Sequence, residues 1–302
     1  MERVLVIRHG AFGDLVQIDG VLRDIRAHHP GAEITLLVAP AFRKLLSRCP
    51  HIDRMIFDAR APYWHLRTFW RLFRELRGAG FTQVYDLQKS DRTGVYRRFI
   101  LPGVPWSGSK PAVPERSSLS GYVGQLQAAG VPVVHAAEPD VSWMAEDVEA
   151  VLAKAGVRRP FVALIPGCSA KHPQKRWPHY GELASGLLAA GYDVVTAPGP
   201  DELELSRGIP GHVLLHDNGW LNWFELAGVL KSAAFVVGND TGPSHVASCL
   251  GVPGLALFGG HTSAERTGIR RARFDVIEAG ELARLPAADV LREVLARLGG
   301  TP

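Results

Sequence analysis

The tightest restriction on the architecture lies in residues 234–258. An apolar run, Ala234-Phe235-Val236-Val237, ends at Gly238-Asn239. A polar turn follows, then a helix from about Ser244 to Leu250, then a second apolar run, Gly254–Phe258. A short apolar run without alternation, bounded by Gly and Asn, fits a strand covered on both faces, as in a parallel sheet flanked by helices. Asp240 or Thr241 can cap the helix, Pro243 suits its first turn, and Gly251 is a usual stop. Such a turn aims free N–H groups and the positive end of the helix at one spot, which suits a phosphate. An ordinary strand-to-helix connection has the same outline. The run Asp240-Thr241-Gly242-Pro243-Ser244-His245 is richer, because four side chains and backbone donors meet within one helical turn, and it reads as a phosphate site.

The same strand–loop–helix rhythm recurs along the 302 residues. Apolar runs at Arg3–Ile7, Ile34–Val38, Ile52–Phe57 and Val84–Leu87 predict four strands, and helices are expected over 15–29, 41–48 and 118–129. A second series opens at Phe161–Ile165 and continues with Asp193–Ala197. Ala137–Trp143 reads as irregular or a short edge strand. The pattern predicts an α/β protein with two Rossmann-like domains, 1–157 and 158–302, joined near Gly156–Pro160. The last helix, about 287–298, is long enough to return to the first domain.

In parallel sheets ligands sit at the carboxyl ends of the strands. That places Asp14, in the loop Arg8-His9-Gly10-Ala11-Phe12-Gly13-Asp14 after the first strand, at a site mouth. Its position fits a catalytic carboxylate and a helix cap equally well. Gly10-x-x-Gly13 lacks the third glycine and the acid of a dinucleotide fingerprint, which counts against a nucleotide-dependent oxidoreductase.

Hydrophobic residues make up 46% and charged residues 21% of the chain, the balance of a globular protein. The early apolar run Val4–Ile7 is far too short for a signal peptide or a membrane span. Cys49, Cys168 and Cys249 are scattered, form no metal-ligand spacing and suit a reducing cytoplasm. Residues 1–110 hold 18 Lys and Arg against 10 Asp and Glu, and residues 111–302 hold 16 against 20. The basic first third suggests an anionic partner such as a phosphorylated lipid or a membrane surface; no nucleic-acid motif accompanies it. Residues 64–77 predict an amphipathic helix with Leu66, Phe69, Trp70, Phe73 and Leu76 on one face and Arg67, Arg71 and Arg74 on another. The aromatic face can pack on the sheet, or the helix can lie on an anionic membrane.

Four segments together resemble the ADP-heptose:lipopolysaccharide heptosyltransferases, family nine of the glycosyltransferases. They are Phe12-Gly13-Asp14, Lys175-Arg176-Trp177-Pro178, Gly199-Pro200-Asp201-Glu202 and Asn239-Asp240-Thr241-Gly242-Pro243-Ser244-His245, in the family's order. The resemblance implies a GT-B fold, with an N-terminal acceptor domain and a C-terminal nucleotide-sugar domain facing each other across a cleft. It also implies inverting transfer from an ADP-sugar without a metal or other cofactor, by a cytoplasmic enzyme that can be peripheral on the membrane.

On that reading Asp14 is the base and Lys175 meets the leaving diphosphate. Gly13, Gly167, Cys168, Ser169, Glu202, Asp240, Thr241, Gly242, Ser244 and His245 are the donor-side candidates. Asp240 is expected on sugar hydroxyls, and Glu202 on the ribose or simply in solvent. Arg8, Gln88 and Arg92 are the acceptor-side candidates, and the acceptor is an anionic glycolipid. Pro111–Arg116 departs from the family's pattern in that loop. A non-catalytic sugar-nucleotide binder is the competing reading, but binding alone has no use for Asp14.

Overall fold

The computed structural model describes residues 1–62, 64–108, 118–169, 171–216 and 219–299; Pro111–Arg116 lie outside them. The chain divides into two units, Met1–Pro139 and Asp140–Pro302. In the first, the apolar runs become strands β1 (Arg3–Ile7), β2 (Glu33–Val38), β3 (Arg54–Phe57), β4 (Gln83–Asp86) and β5 (Trp106–Ser107). They form one sheet in the order β3-β2-β1-β4-β5, every pair parallel. Val4, Leu5, Val6 and Ile7 of the central strand are wholly buried, which is why that run needs no polar alternation.

The second unit repeats the plan with β6 (Phe161–Ile165), β7 (Asp193–Thr196), β8 (His212–Val213), β9 (Phe235–Asn239), β10 (Gly254–Phe258) and β11 (Phe274–Glu278). Their order is β11-β10-β9-β6-β7-β8, again all parallel. The short strands β5 and β8 and the acid-bearing β11 were not expected from the sequence pattern. Residues 137–143 form no strand; the segment runs into a single 3₁₀ turn at Ser142–Met144.

The boundary between the units precedes the linker expected at 156–160, and hydrogen bonds show why. Asp24, buried on the helix Asp19–His28, accepts the backbone N–H groups of Val134, His135 and Ala136 and ties that segment to the first unit. Beyond it, the Val141 N–H donates to the Cys249 carbonyl (3.2 Å) and the Glu146 N–H to the Phe224 carbonyl (3.1 Å). Residues 140–157 therefore belong with the second unit. The sequence reading carries the last helix, Ala287–Gly299, back to the first domain. In the structure its buried residues Ala287, Val290 and Val294 enter the second unit's core with Leu183 and Leu187 of the helix Tyr180–Ala189.

The helix Leu66–Gly78 is turned differently from its expected orientation. Leu72 and Leu76 are buried, and Phe69 and Phe73 pack partly against the first core. The sequence pattern groups Leu66 and Trp70 with that face, yet they are 64% and 58% exposed. The apolar set spans too wide an arc for the underlying sheet to cover. Trp70 stays outside, edge-on to Phe73 with centroids 5.2 Å apart, on the side that also exposes Arg67 and Arg74.

Candidate active site

In open parallel sheets the binding crevice opens where the strand order reverses. In the first unit that point lies between β1 and β4. Arg8 and His9 leave β1 there, and Leu87 and Gln88 leave β4. Arg8 Nη1 donates to the Leu87 carbonyl (2.9 Å), and the His9 N–H donates to Gln88 Oε1 (3.0 Å), so the two exits are stitched together. Gly10 turns the loop with φ +143°, a value that side-chain-bearing residues rarely adopt.

Gly13 and Asp14 are the second and third residues of the helix Phe12–Gln17. Asp14 Oδ2 accepts the Ala11 N–H (2.8 Å) and pairs with Arg8 Nη2 (2.7 Å). The carboxylate thus closes the first turn of the helix. Both of its bonds among the described residues fall on Oδ2, so Oδ1 stays open, on a side chain that is 33% exposed. Burial works against the Arg8 charge, but Tyr122, Asp14 and Asp86 together raise its pKa above the ordinary value.

Arg92, an acceptor-side candidate, is already engaged. Its Nε and Nη2 meet the two oxygens of Asp58 at 2.8 Å each, and Nη1 donates to the Ala61 carbonyl (2.9 Å). Asp58, just beyond β3 and 2% exposed, also accepts the Tyr96 hydroxyl and lies 3.0 Å from His9 Nε2. Burial would raise the Asp58 carboxyl, but His9, Arg92 and Tyr96 favour its charged form and hold it far below the usual carboxylate range. The fork of Arg92 is engaged inside the first unit, and through Asp58 and His9 it also braces the Arg8–Asp14 loop. Sequence reading missed Asp58 because the side chains that pair with it are 34 or more residues away.

In the second unit the reversal lies between β6 and β9. Pro166 and Gly167 leave β6, and Asp240 and Thr241 leave β9. Lys175 Nζ donates to Asp240 Oδ2 (2.6 Å), and His245 Nε2 stands 3.7 Å from Asp240 Oδ1. Burial opposes the Asp240 charge, yet His245 and Lys175 outweigh it and keep its carboxyl below the ordinary range. Asp240, expected on sugar hydroxyls, is therefore first a partner of Lys175.

The helix that follows runs Gly242–Cys249 with Thr241 at its cap position. Thr241 makes no capping bond, and its Oγ1 is buried with no hydrogen-bond partner among the described residues. The neighbouring Asp240 holds Lys175, and an unmet hydroxyl at a helix start has the chemistry to donate to a ligand oxygen. Ser244 differs: it is fully buried, and its hydroxyl donates to the Asn239 carbonyl (2.6 Å), so its side chain holds the turn.

Glu202 folds back at the start of the helix Leu203–Arg207, where its Oε2 accepts the Gly199 N–H (3.1 Å). A Cβ on Gly167 would fall on the Glu202 carboxylate, so the glycine makes the seat for the acid. Cys168 is buried and its thiol donates to the His172 carbonyl (3.2 Å), whereas Ser169 is exposed. His261, beyond β10, feels the Lys175 charge; burial and then Lys175 lower its pKa. Nothing in its sequence neighbourhood marks it. Among the described residues no three His, Cys, Asp or Glu side chains are grouped to hold a metal ion.

A family model described as glycosyltransferase family 9 (heptosyltransferase) matches residues 126–288, more than half of the chain, including this second-unit site. This chain belongs to glycosyltransferase family 9. Lipopolysaccharide heptosyltransferase 2 of Salmonella typhimurium is 27% identical over 225 residues, 64% of this chain and 62% of that protein. Among solved structures, a family 9 glycosyl transferase from Veillonella parvula matches with a TM-score of 0.81 at 18% identity, over 99% of this chain and 98% of the other. E. coli heptosyltransferase WaaC, solved with ADP, matches with a TM-score of 0.74 at 19% identity, over 98% and 99%. The GT-B fold thus extends over nearly the whole chain, and residues 239–245 form the turn where Lys175 meets Asp240.

Proposed function

We propose that this protein transfers a heptose or related sugar from an ADP-sugar to a lipopolysaccharide-core or similar glycan, with inversion and without a metal ion. One observation carries the reading: a lysine, a helix start and an unpartnered threonine hydroxyl converge at the strand-order reversal of the second unit. As the glycosidic bond breaks, the diphosphate gathers negative charge. Lys175, Thr241 Oγ1 and the N–H groups that open the helix Gly242–Cys249 are fixed donors for that charge. Asp240 aims Lys175, and Glu202 takes the ribose hydroxyls.

In the first unit, Asp14 accepts the proton of the attacking hydroxyl through its open Oδ1. Arg8 and Gln88 set the shape of that loop. The Salmonella relative's name and the ADP complex of the E. coli neighbour support both donor and acceptor class. The test is a thermal-shift series in the presence of EDTA. ADP should stabilise the protein by about 2–3 kcal/mol at a hundredfold excess over its dissociation constant, above UDP, GDP and NADH. Equal stabilisation by all four would remove the ADP-sugar assignment, and transfer abolished by EDTA would remove metal independence.

The acceptor is a glycolipid on this reading, so the protein works at a membrane surface. Among the described residues no helix is long and apolar enough to cross a membrane. The helix Leu66–Gly78 instead exposes Leu66 and Trp70 beside Arg67 and Arg74, with Trp64 just ahead of it 77% exposed. Apolar rings among arginines suit the headgroup region of an anionic bilayer. Co-sedimentation with vesicles containing phosphatidylglycerol should fall sharply in Trp70→Ala carrying Arg67→Glu and Arg74→Glu. Unchanged sedimentation would send the membrane contact elsewhere.

A further inference from the structure

Asn239 ends β9 with no solvent exposure, and its side-chain amide uses every hydrogen-bonding position it has. Oδ1 accepts the Trp177 N–H (3.2 Å) and the Tyr180 hydroxyl (3.1 Å). Nδ2 donates to the carbonyls of Pro166 (2.8 Å) and Gly167 (3.3 Å). The partners fix the amide's orientation, because a backbone N–H can only donate and a carbonyl can only accept. Its own backbone carbonyl takes the Ser244 hydroxyl (2.6 Å).

These contacts join three separate loops. Pro166-Gly167 opens the loop on which Glu202 is seated. Trp177 anchors the loop of Lys175, with its indole N–H on the Leu285 carbonyl (2.9 Å) and its ring edge-on to Tyr180. Asn239 itself precedes Asp240 and Thr241. The ribose-side loop, the lysine loop and the helix start therefore share one buried group that must both donate and accept. No side chain of similar size other than an amide donates two bonds and accepts two: a hydroxyl has one proton to give, a carboxylate would face two carbonyls, and a leucine would leave two donors and two acceptors unmet.

We infer that Asn239 is a positioning residue for transfer, setting Lys175 on the leaving diphosphate through its hold on the Trp177 backbone. This rests on the donor site proposed above. It differs from that proposal in assigning a role to a residue that touches no substrate and acts through Lys175. If the role were only to hold the fold together, the loss on substitution would not depend on what stands at position 175.

The test is a double-mutant cycle in steady-state or single-turnover transfer, with Asn239→Ser, Lys175→Ala and the pair. Asn239→Ser should lower kcat by about tenfold while the donor KM changes less. In the Lys175→Ala background the same change should cost less than about twofold, since the group it positions is gone. A kcat within twofold of wild type, or the same tenfold loss in both backgrounds, overturns the inference. If Asn239→Ser does not fold, Tyr180→Phe decides. It removes one bond to Oδ1 and should cost about threefold in kcat, and only when Lys175 is present. Equal loss in both backgrounds again overturns it. Failure of the wild-type protein to bind ADP at all would fall on the donor-site reading, which keeps the two outcomes apart.

Discussion

Asp14→Ala is expected to lower sugar transfer by about 10²–10⁴-fold, the usual contribution of a positioned general base. ADP binding should stay near that of the wild-type protein. The expectation follows from where the carboxylate is held. Arg8 at 2.7 Å and the Ala11 N–H at 2.8 Å both take Oδ2, so the side chain is oriented from one side and presents its other oxygen. Removing it deletes a proton acceptor but no contact within the second unit. Asp14→Asn makes a stringent companion, because it retains the size and the capping oxygen while losing the basicity. Transfer should be lost in both variants, and circular dichroism should show both folded. If either loses ADP affinity with its turnover rate intact, Asp14 is a donor ligand and the base must be sought elsewhere.

Asp58→Ala should destabilise the first unit by about 3–5 kcal/mol, because it strands the Arg92 guanidinium and the Tyr96 hydroxyl in a buried setting. Its thermal transition should fall by roughly 10 °C. Asp58→Leu combined with Arg92→Met should recover the part of the loss that comes from the stranded guanidinium, while the Tyr96 hydroxyl stays unmet. A drop of less than about 2 °C in the single variant would show that the network contributes little.

The pH dependence has a definite sign. The folded Asp58 carboxyl is held below its unfolded value, so its contribution is complete above about pH 4. It is lost as the pH falls through the lower, folded value. Acid unfolding of the wild-type first unit should therefore steepen below about pH 4, and the Asp58→Leu, Arg92→Met variant should lose that dependence.

These two carboxylates also show which parts of the site could be read without coordinates. Asp14 stands out because a short buried strand, a glycine loop and a helix start give its position away, and Asp240 and Thr241 stand out for the same local reason; Lys175 is singled out only by the family resemblance of its loop. Asp58 acts through side chains distant in sequence, and nothing next to it distinguishes it from a polar strand end; Asn239 opens the run 239–245, but the partners of its amide lie 59 to 73 residues away. Arg92 shows the converse. Its place just beyond β4 suggests a binding role, but a carboxylate 34 residues away already holds its fork. The strands that were missed follow similar logic. Phe274–Glu278 carries two acids at the sheet edge, and Trp106–Ser107 and His212–Val213 are too short to show any period.

Glycine at 167 and glutamate at 202 form a single steric choice, because the acid lies where any side chain at 167 would begin. A methyl group at 167 would meet only the flexible end of the acid, which can swing aside, so the cost falls on where the carboxylate rests and not on the backbone. On the proposed reading, the residue at 167 thereby tunes the reach of the acid toward the ribose without disturbing the strand that ends beside it.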